Sequence, residues 1–514
     1  MIELNVEFQK ALDIAEKTDK NVFITGRAGT GKSTLLTYFR SKTKKKVVVL
    51  APTGVAALNV KGQTIHSFFK FKPDVTLQSV KRIYKKGDKK NLYEKIDVIV
   101  IDEISMVRSD LLDCMDKSLR LNRGSSLPFG GAQMVFIGDL YQLPPVVTGS
   151  EREIFRTHYK SQYFFDAHVF QDLQMDFIEL EKVYRQKDDK FILLLNSVRN
   201  NSATEEHLTQ INKRYDPNYA PSPKSFAIYL TTTNDLADTI NIAQLERLKG
   251  KEYRFEGSMS GKFEMRSLPT EHELSVKKGS QVMMLNNDSQ GRWVNGTIGK
   301  IVDFEKDEEE NEFILVEMTD GSIEVVSPYT WELFNFSFNQ KTNSLISETV
   351  GTFTQYPMRL AWAVTIHKSQ GKTFDNVVID IGRGTFVHGQ LYVALSRCTS
   401  LEGITLRQQI GKKHIFMDWR VVKFVTQFQY QKSQNLLPLE EKALLFEKAI
   451  NERKKISMVY LKANDEKSKR IVKPSRVGEM EYMNKKFLGV EAFDEKRQGE
   501  RVFRIDRILQ MEIL

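Results

Sequence analysis

Gly26-Arg27-Ala28-Gly29-Thr30-Gly31-Lys32-Ser33 is the stretch that decides the fold of this chain. The apolar run Val22-Phe23-Ile24 precedes it and the helix-forming Thr34-Leu35-Leu36-Thr37-Tyr38-Phe39 follows it. The order is therefore strand, glycine loop, helix, which is the context a G-x-x-x-x-G-K-[ST] phosphate loop requires. Glycines at 26, 29 and 31 allow turns that a Cβ would block. The loop amides then converge on an anion at a helix N-terminus, where the helix dipole also favours negative charge. In such a loop Lys32 reaches the β- and γ-phosphates of a nucleoside triphosphate and Ser33 holds Mg²⁺. The loop leaves open what the triphosphate is used for.

Composition narrows the class. The chain has 514 residues, 41% hydrophobic and 28% charged, with a formal net charge of +10. That length exceeds a single hydrophobic core and predicts several domains. No apolar run approaches the length of a membrane span, and Met1-Ile2-Glu3-Leu4-Asn5 lacks the basic start of a leader peptide. A cytoplasmic protein with no membrane partner is expected. Cys114 and Cys398 are the only cysteines, too few for a disulfide framework or a zinc site. The basic balance suits a polyanionic partner.

Apolar runs at 21–25, 46–50, 98–101, 134–137, 226–230 and 377–381 read as buried parallel strands, with helical patterns between many of them. Alternation of this kind predicts an α/β fold with ligands at the carboxyl ends of the strands. Gly26, Thr53, Asp102, Asp139 and Thr232 stand at those ends. Between 249 and 355 the pattern changes to short alternating strands, at 281–285, 297–304 and 312–318 among others. This predicts a β-rich insert that splits a second α/β unit, with 307–311 as a solvated hairpin turn. A second insert is expected over 70–95, where 81–90 is strongly basic. Residues 431–435, with Pro438 beyond them, read as a polar linker, followed by a last small unit. That unit opens with a helix at 439–453 and continues with strands near 457–461, 486–493 and 501–508.

A constellation of charged groups accompanies the loop. Val98-Ile99-Val100-Ile101-Asp102-Glu103 is a buried strand ending in two carboxylates. Asp102 suits Mg²⁺, and Glu103 suits the general base that polarises an attacking water. Gln142, in Gly138-Asp139-Leu140-Tyr141-Gln142-Leu143-Pro144-Pro145, can sense a γ-phosphate through its amide. Arg185 follows the strand 177–180, and Arg397 ends Leu391-Tyr392-Val393-Ala394-Leu395-Ser396-Arg397, so one arginine lies on each side of the β insert. An arginine placed against a transferring phosphoryl group is worth roughly 10³–10⁵ in rate. Both arginines are expected to complete the site from the second α/β half. Finally, Thr64-Ile65-His66-Ser67 is echoed by Thr365-Ile366-His367-Lys368-Ser369. Two related units offering the same groups to one phosphate chain would show such an echo.

Together these motifs resemble the Pif1-like DNA helicases of superfamily 1. GRAGTGKS resembles motif I, 51–69 motif Ia and its extension, and 101–106 motif II. Residues 110–131 resemble the family's signature segment, and 138–146, 183–186, 363–375 and 392–398 resemble motifs III to VI. The tail is similar to a WYL domain, with Lys486-Phe487-Leu488 where the naming tripeptide would stand. The resemblance implies an α/β fold of two RecA-like P-loop NTPase domains. The first comprises 1–69 and 96–182, with a wedge insert at 70–95. The second comprises 183–248 and 356–410, with an SH3-like insert at 249–355. A helical linker at 411–437 and a WYL-like domain at 438–514 complete it. It implies ATP and Mg²⁺ as cofactors. The nucleotide would be held by Gln9 at the adenine, by Gly26, Ala28, Gly29, Thr30, Gly31, Lys32, Ser33 and Thr34, and by Gln142, Arg185, Gly371 and Arg397. DNA would meet Pro52, Thr53, Gly54, Thr64, His66, Ser67, Phe68, Thr232, Asn234, Thr365, His367, Lys368 and Ser369. Arg470, Arg501, Arg504 and Arg507 would give the tail a basic surface for single-stranded DNA or a regulatory nucleotide.

The activity implied is ATP-driven 5′-to-3′ travel on single-stranded DNA by a protein monomeric at rest. Its substrates would be duplex and forked DNA, G-quadruplexes and RNA–DNA hybrids. Its setting would be replication, repair and telomere maintenance, in a bacterial cytoplasm beside the nucleoid. The alternative is a nucleotide-gated DNA-binding regulator that switches without translocating, a reading the WYL-like tail favours. A P-loop kinase of small molecules would leave the second half and the basic surfaces without a use.

Overall fold

The computed structural model describes residues 4–514 apart from 84–91, 148–150, 223–224, 266–267, 307, 309–311, 340–343, 383, 386 and 483–484. The chain divides into two compact units, Met1–Leu195 with Glu205–Phe416, and Asn196–Thr204 with Met417–Leu514.

The larger unit contains two parallel sheets. The first has six strands in the order Gln63–Thr64, Val47–Ala51, Val98–Ile101, Gln133–Ile137, Asn21–Gly26 and Met175–Leu180. Its central strands are buried on both faces, which is why their sequences are continuous Val/Ile/Phe runs. Helices Val6–Lys17 and Lys32–Lys42 pack on it through Phe8, Ala11, Leu35, Leu36 and Phe39. The second sheet has four parallel strands, Ala363–Thr365, Ile228–Thr231, Val377–Asp380 and Ile404–Leu406. The strands predicted from apolar runs all form, with ends shifted by one or two residues.

Among the described residues, the insert within the second half is built mainly of β-strands. A five-stranded sheet runs Ile323–Val326, Glu312–Met318, Ile298–Lys306, Gln281–Met284, Met358–Leu360. Its core includes Val282, Trp293, Ile301, Val316 and Met358. Beside it, the long hairpin Tyr329–Asn339 with Ser344–Gln355 is joined by Ser258–Gly261. The hairpin turn expected at 307–311 lies, Glu308 apart, outside the described residues. So does most of the basic run 81–90. In the described part of 70–95, Lys117 Nζ donates to Leu77 O at 2.6 Å and Ile83 N donates to Asn122 at 2.9 Å. These two bonds tie the insert to helix Ser109–Arg123.

The smaller unit holds two helices, Trp419–Leu436 and Leu439–Asn451, and a five-stranded antiparallel sheet. The sheet order is Gly499–Arg504, Lys485–Asp494, Lys467–Tyr482, Ile456–Leu461, Ile508–Ile513. Phe446, Ala449, Val472, Val490 and Ile508 form its core. The polar run 431–435, expected as a linker, lies inside the first of these helices. Ser433 is buried there and its hydroxyl donates to Ile508 O at 2.8 Å.

Candidate nucleotide cleft and nucleic-acid interface

The glycine loop joins strand Asn21–Gly26 to helix Lys32–Lys42. Gly29 and Gly31 take φ of +79° and +85°. A Cβ on Gly29 would stand 2.5 Å from Arg185 Cβ, so position 29 requires glycine for space as well as conformation. Lys32 Nζ donates to Gly26 O at 2.7 Å and Arg27 O at 3.0 Å, which folds the ammonium over the loop. Burial lowers its pKa, and Asp139, Glu103 and Asp102 pull it back up. Ser33 and Thr34 are exposed in the first helical turn.

Asp102 and Glu103 follow the buried strand Val98–Ile101. Burial raises the Asp102 carboxyl, against the nearby Lys32. Glu103 sits at φ +50°, a left-handed conformation costly for a residue with a Cβ and common at functional sites. Burial first, and Asp102 second, raise its carboxyl to about 7. Lys32 and Arg397 oppose that rise. Gln142 is buried, its amide nitrogen donating to Asp139 at 3.0 Å. Gln9 is exposed on the N-terminal helix and donates to Asp13 at 2.9 Å.

The second sheet closes on this loop. Tyr392, on helix Gln390–Leu395, accepts the Ala28 amide at 3.0 Å. Gln370 Nε2 reaches Gln142 Oε1 at 3.4 Å, and His388 Nε2 donates to Leu140 O at 3.0 Å. Arg397 is 1% exposed. Its guanidinium donates to Val393 O, Ser369 O, Lys372 O and Ser396 Oγ at 2.8–3.4 Å. Burial, then Arg185, pulls its pKa down to about 9. Arg185 does not arise from the second half as expected. Its backbone leaves the edge strand Met175–Leu180 of the first sheet, and Tyr184 N donates to Gly29 O at 2.8 Å. Only the Arg185 side chain crosses, to Ser396 O at 3.1 Å and Gly371 O at 3.3 Å. The roles of Tyr392, Gln370, His388 and Gln186 are not visible in the sequence because their partners lie far along the chain.

A cleft of about 870 Å³ lies beside the first sheet. Pro52, Gly54, Thr64, His66 and Ser67 line it, as do Lys70 and Arg108 and, from the insert, Lys262, Phe263 and Asn335. Thr53 and Thr64 cap short helices, accepting from Ala56 N and Ser67 N, each at 3.2 Å. In the second half Thr365 Oγ1 accepts from Lys368 N, also at 3.2 Å. His367 is half-buried, which lowers its pKa, and Lys368 is exposed. Asn234 is exposed at the start of helix Asn234–Arg247.

Several expected DNA contacts are buried instead. Phe68 is 4% exposed and packs edge-on against Phe69, Tyr93 and Phe336. Ser369 is fully buried, its hydroxyl donating to Ile366 O. Thr232 and Thr365 are buried too; Thr233, beside the first, is the exposed helix cap, and Thr365 supports from within the turn that reaches Lys368. Arg470 points inward to Asp494 at 2.8 Å, because the alternation of strand Lys467–Tyr482 places even-numbered residues near it in the core. Lys467, Lys469 and Lys473 take the exposed face. Arg504 pairs with Asp506 at 2.6 Å and lies over the Phe487 ring.

Comparison with known proteins follows the same division of the chain. A PIF1-like helicase model matches residues 3–208, a UvrD-like helicase C-terminal domain 360–401, and a WYL domain 442–513. The ATP-dependent DNA helicase Pif1 of Bdellovibrio bacteriovorus is 32% identical over 440 residues, covering 83% of this chain and 93% of that protein. The chain belongs to the Pif1-like helicase family. Pif1 from Bacteroides sp, in complex with ADP-AlF4, superimposes with a TM-score of 0.77 at 37% identity, covering 84% of this chain and 98% of that one. Bacteroides Pif1 bound to single-stranded DNA gives 0.60 at 38% identity, covering 82% and 96%. The chain spans 60% of the length of the human Pif1 it matches. Among the described residues, no helix is long and apolar enough to cross a membrane.

Proposed function

We propose that this chain is an ATP-driven DNA helicase that travels on single-stranded DNA and separates the duplex ahead of it. The observation that carries the reading is the composite cleft. Lys32, Asp102, Glu103 and Gln142 come from the first sheet, and Gly371, Tyr392 and Arg397 from the second. Neither half holds both the phosphate cradle and the buried arginine.

ATP would lie on the amides of 26–34, with Gln9 at the adenine and Lys32 on the β- and γ-phosphates. Glu103, held near neutrality by its burial, would orient and deprotonate the attacking water. Arg397 and Arg185 would face the charge that develops on the transferring phosphoryl group. An exposed hydroxyl on the first helical turn and a carboxylate at a strand end suit a hard cation that keeps several waters, so Ser33 and Asp102 would hold Mg²⁺. That ion neutralises charge on the β- and γ-phosphates when bound.

The DNA path would run along Pro52, Thr53, Gly54, Thr64, His66 and Ser67, then Thr233, Asn234, His367 and Lys368, the last two on the turn that buried Thr365 caps. Caps, short polar side chains and helix starts of this kind grip phosphates without reading bases. The wall of Lys262, Phe263 and Asn335 from the insert adds a charge and a ring for stacking. In the tail, Lys467, Lys469 and Lys473 replace Arg470 as the basic face, with Arg501 and Arg507 beside the paired Arg504. Forks, G-quadruplexes and RNA–DNA hybrids would be opened in the 5′-to-3′ direction by a monomer in a bacterial cytoplasm, near the nucleoid.

The test is unwinding of 5′- and 3′-tailed duplexes with ATP. The proposal expects strand separation on the 5′-tailed substrate only. Separation on the 3′-tailed substrate alone would reverse the direction, and none on either would remove the helicase reading.

A further inference from the structure

Gln186 follows Arg185 on the segment that leaves the edge strand Met175–Leu180 and passes beside the glycine loop, and it is 3% exposed. Its side-chain amide nitrogen donates to Ser396 O at 3.2 Å and to Cys398 O at 2.9 Å. An amide NH₂ has two hydrogens, so this one group spends both on the carbonyls flanking Arg397. Between them, the Arg397 carbonyl accepts from Phe374 N at 3.0 Å. The backbone of residue 397 is therefore pinned from both sides. Arg185 adds a second donor to Ser396 O at 3.1 Å, which fills that oxygen's two lone pairs.

The clamp is anchored to the nucleotide loop. Tyr184 N holds Gly29 O, and Arg185 Cβ leaves no room for a side chain at Gly29. Two residues further on, Gln186 holds the arginine segment. Three consecutive residues thus join the loop to the backbone of Arg397. The guanidinium itself is fixed by carbonyls of 369, 372 and 393. Its placement depends on where that backbone sits.

We infer that Gln186 is a positioning residue for hydrolysis: its amide brackets Ser396 and Cys398 and so sets the reach of Arg397 toward the phosphates. The inference rests on the ATPase reading of the cleft. Gln186 need touch neither nucleotide nor DNA. Its loss should therefore lower turnover while leaving ATP binding unchanged. Misplacing a catalytic group by about 1 Å costs up to about 10²-fold in rate.

The test uses the full chain with Gln186→Met, which keeps length and burial but donates no hydrogen bond, and Gln186→Ala as the second variant. Steady-state ATP hydrolysis with saturating single-stranded DNA, affinity for a non-hydrolysable ATP analogue, and thermal melting are measured on each, alone and in an Arg397→Ala background. The expected result is a kcat lower by about 10–100-fold, with analogue affinity within about twofold of wild type. In the Arg397→Ala background the Gln186 substitutions should cost nothing further. Unchanged kcat in Gln186→Met overturns the inference. An equal loss in both backgrounds also overturns it, because Gln186 would then act independently of Arg397. A wild-type chain with no ATP hydrolysis would instead remove the ATPase reading itself.

Discussion

Thr64 and Thr365 occupy matching places in the two parallel sheets. Each ends an edge strand and caps the turn that follows, accepting from the amide three residues on at 3.2 Å. Beside each lies a strand whose following helix is capped by another threonine, Thr53 in the first half and Thr233 in the second. Beyond these turns the halves differ. The first ends its strands in a glycine loop and two carboxylates, and the second supplies a buried arginine and a tyrosine hydroxyl. The difference teaches how such a motor divides its work. On the proposed helicase reading, two phosphate-gripping turns would serve stepping along a strand, whereas one ATP would need one cradle and one opposing cation.

The largest effect should come from breaking the asymmetric part. Arg397→Ala is expected to lower kcat for ATP by about 10³-fold or more while nucleotide binding persists, measured by steady-state hydrolysis and analogue affinity. Next is Phe68→Ala, which tests whether position 68 belongs to the core or to the symmetric grip. A core aromatic predicts about 3–5 kcal/mol of lost stability in denaturant unfolding, with DNA affinity of the folded protein unchanged. The symmetric part is sharpened by Thr64→Val and Thr365→Val. Each removes a cap worth about 1 kcal/mol, and single-stranded DNA affinity should weaken by a similar factor in both variants. Unequal effects would break the equivalence of the turns. The smallest effect is expected for Tyr392→Phe, which removes one hydrogen bond to Ala28 N. It should shift the apparent affinity for ATP by about 0.5 kcal/mol, the low end for a net hydrogen bond.

Much of this was legible in sequence where chemistry follows a buried strand directly. Gly26–Ser33, Asp102–Glu103 and the Thr-Ile-His echo are local patterns, and local geometry delivers them. Residues that work through distant partners were not legible. Tyr392 meets Ala28, and Gln186 meets Ser396 and Cys398, across more than two hundred residues of chain. Ser433 looked like linker because its partner, Ile508 O, lies on another element. Phe68 and Arg470 were misplaced for a simpler reason. Each follows an exposed residue, Ser67 before Phe68 and Lys469 before Arg470, and a single step along a helix or strand turns a side chain into the core.

The most direct test of a cleft completed by both sheets is ATP hydrolysis by wild type and Arg397→Ala, each with and without single-stranded DNA. Wild type should be stimulated many-fold by DNA, and Arg397→Ala should bind nucleotide yet show almost no stimulated turnover. A wild-type rate indifferent to DNA, or an Arg397→Ala variant stimulated as strongly as wild type, would contradict the account.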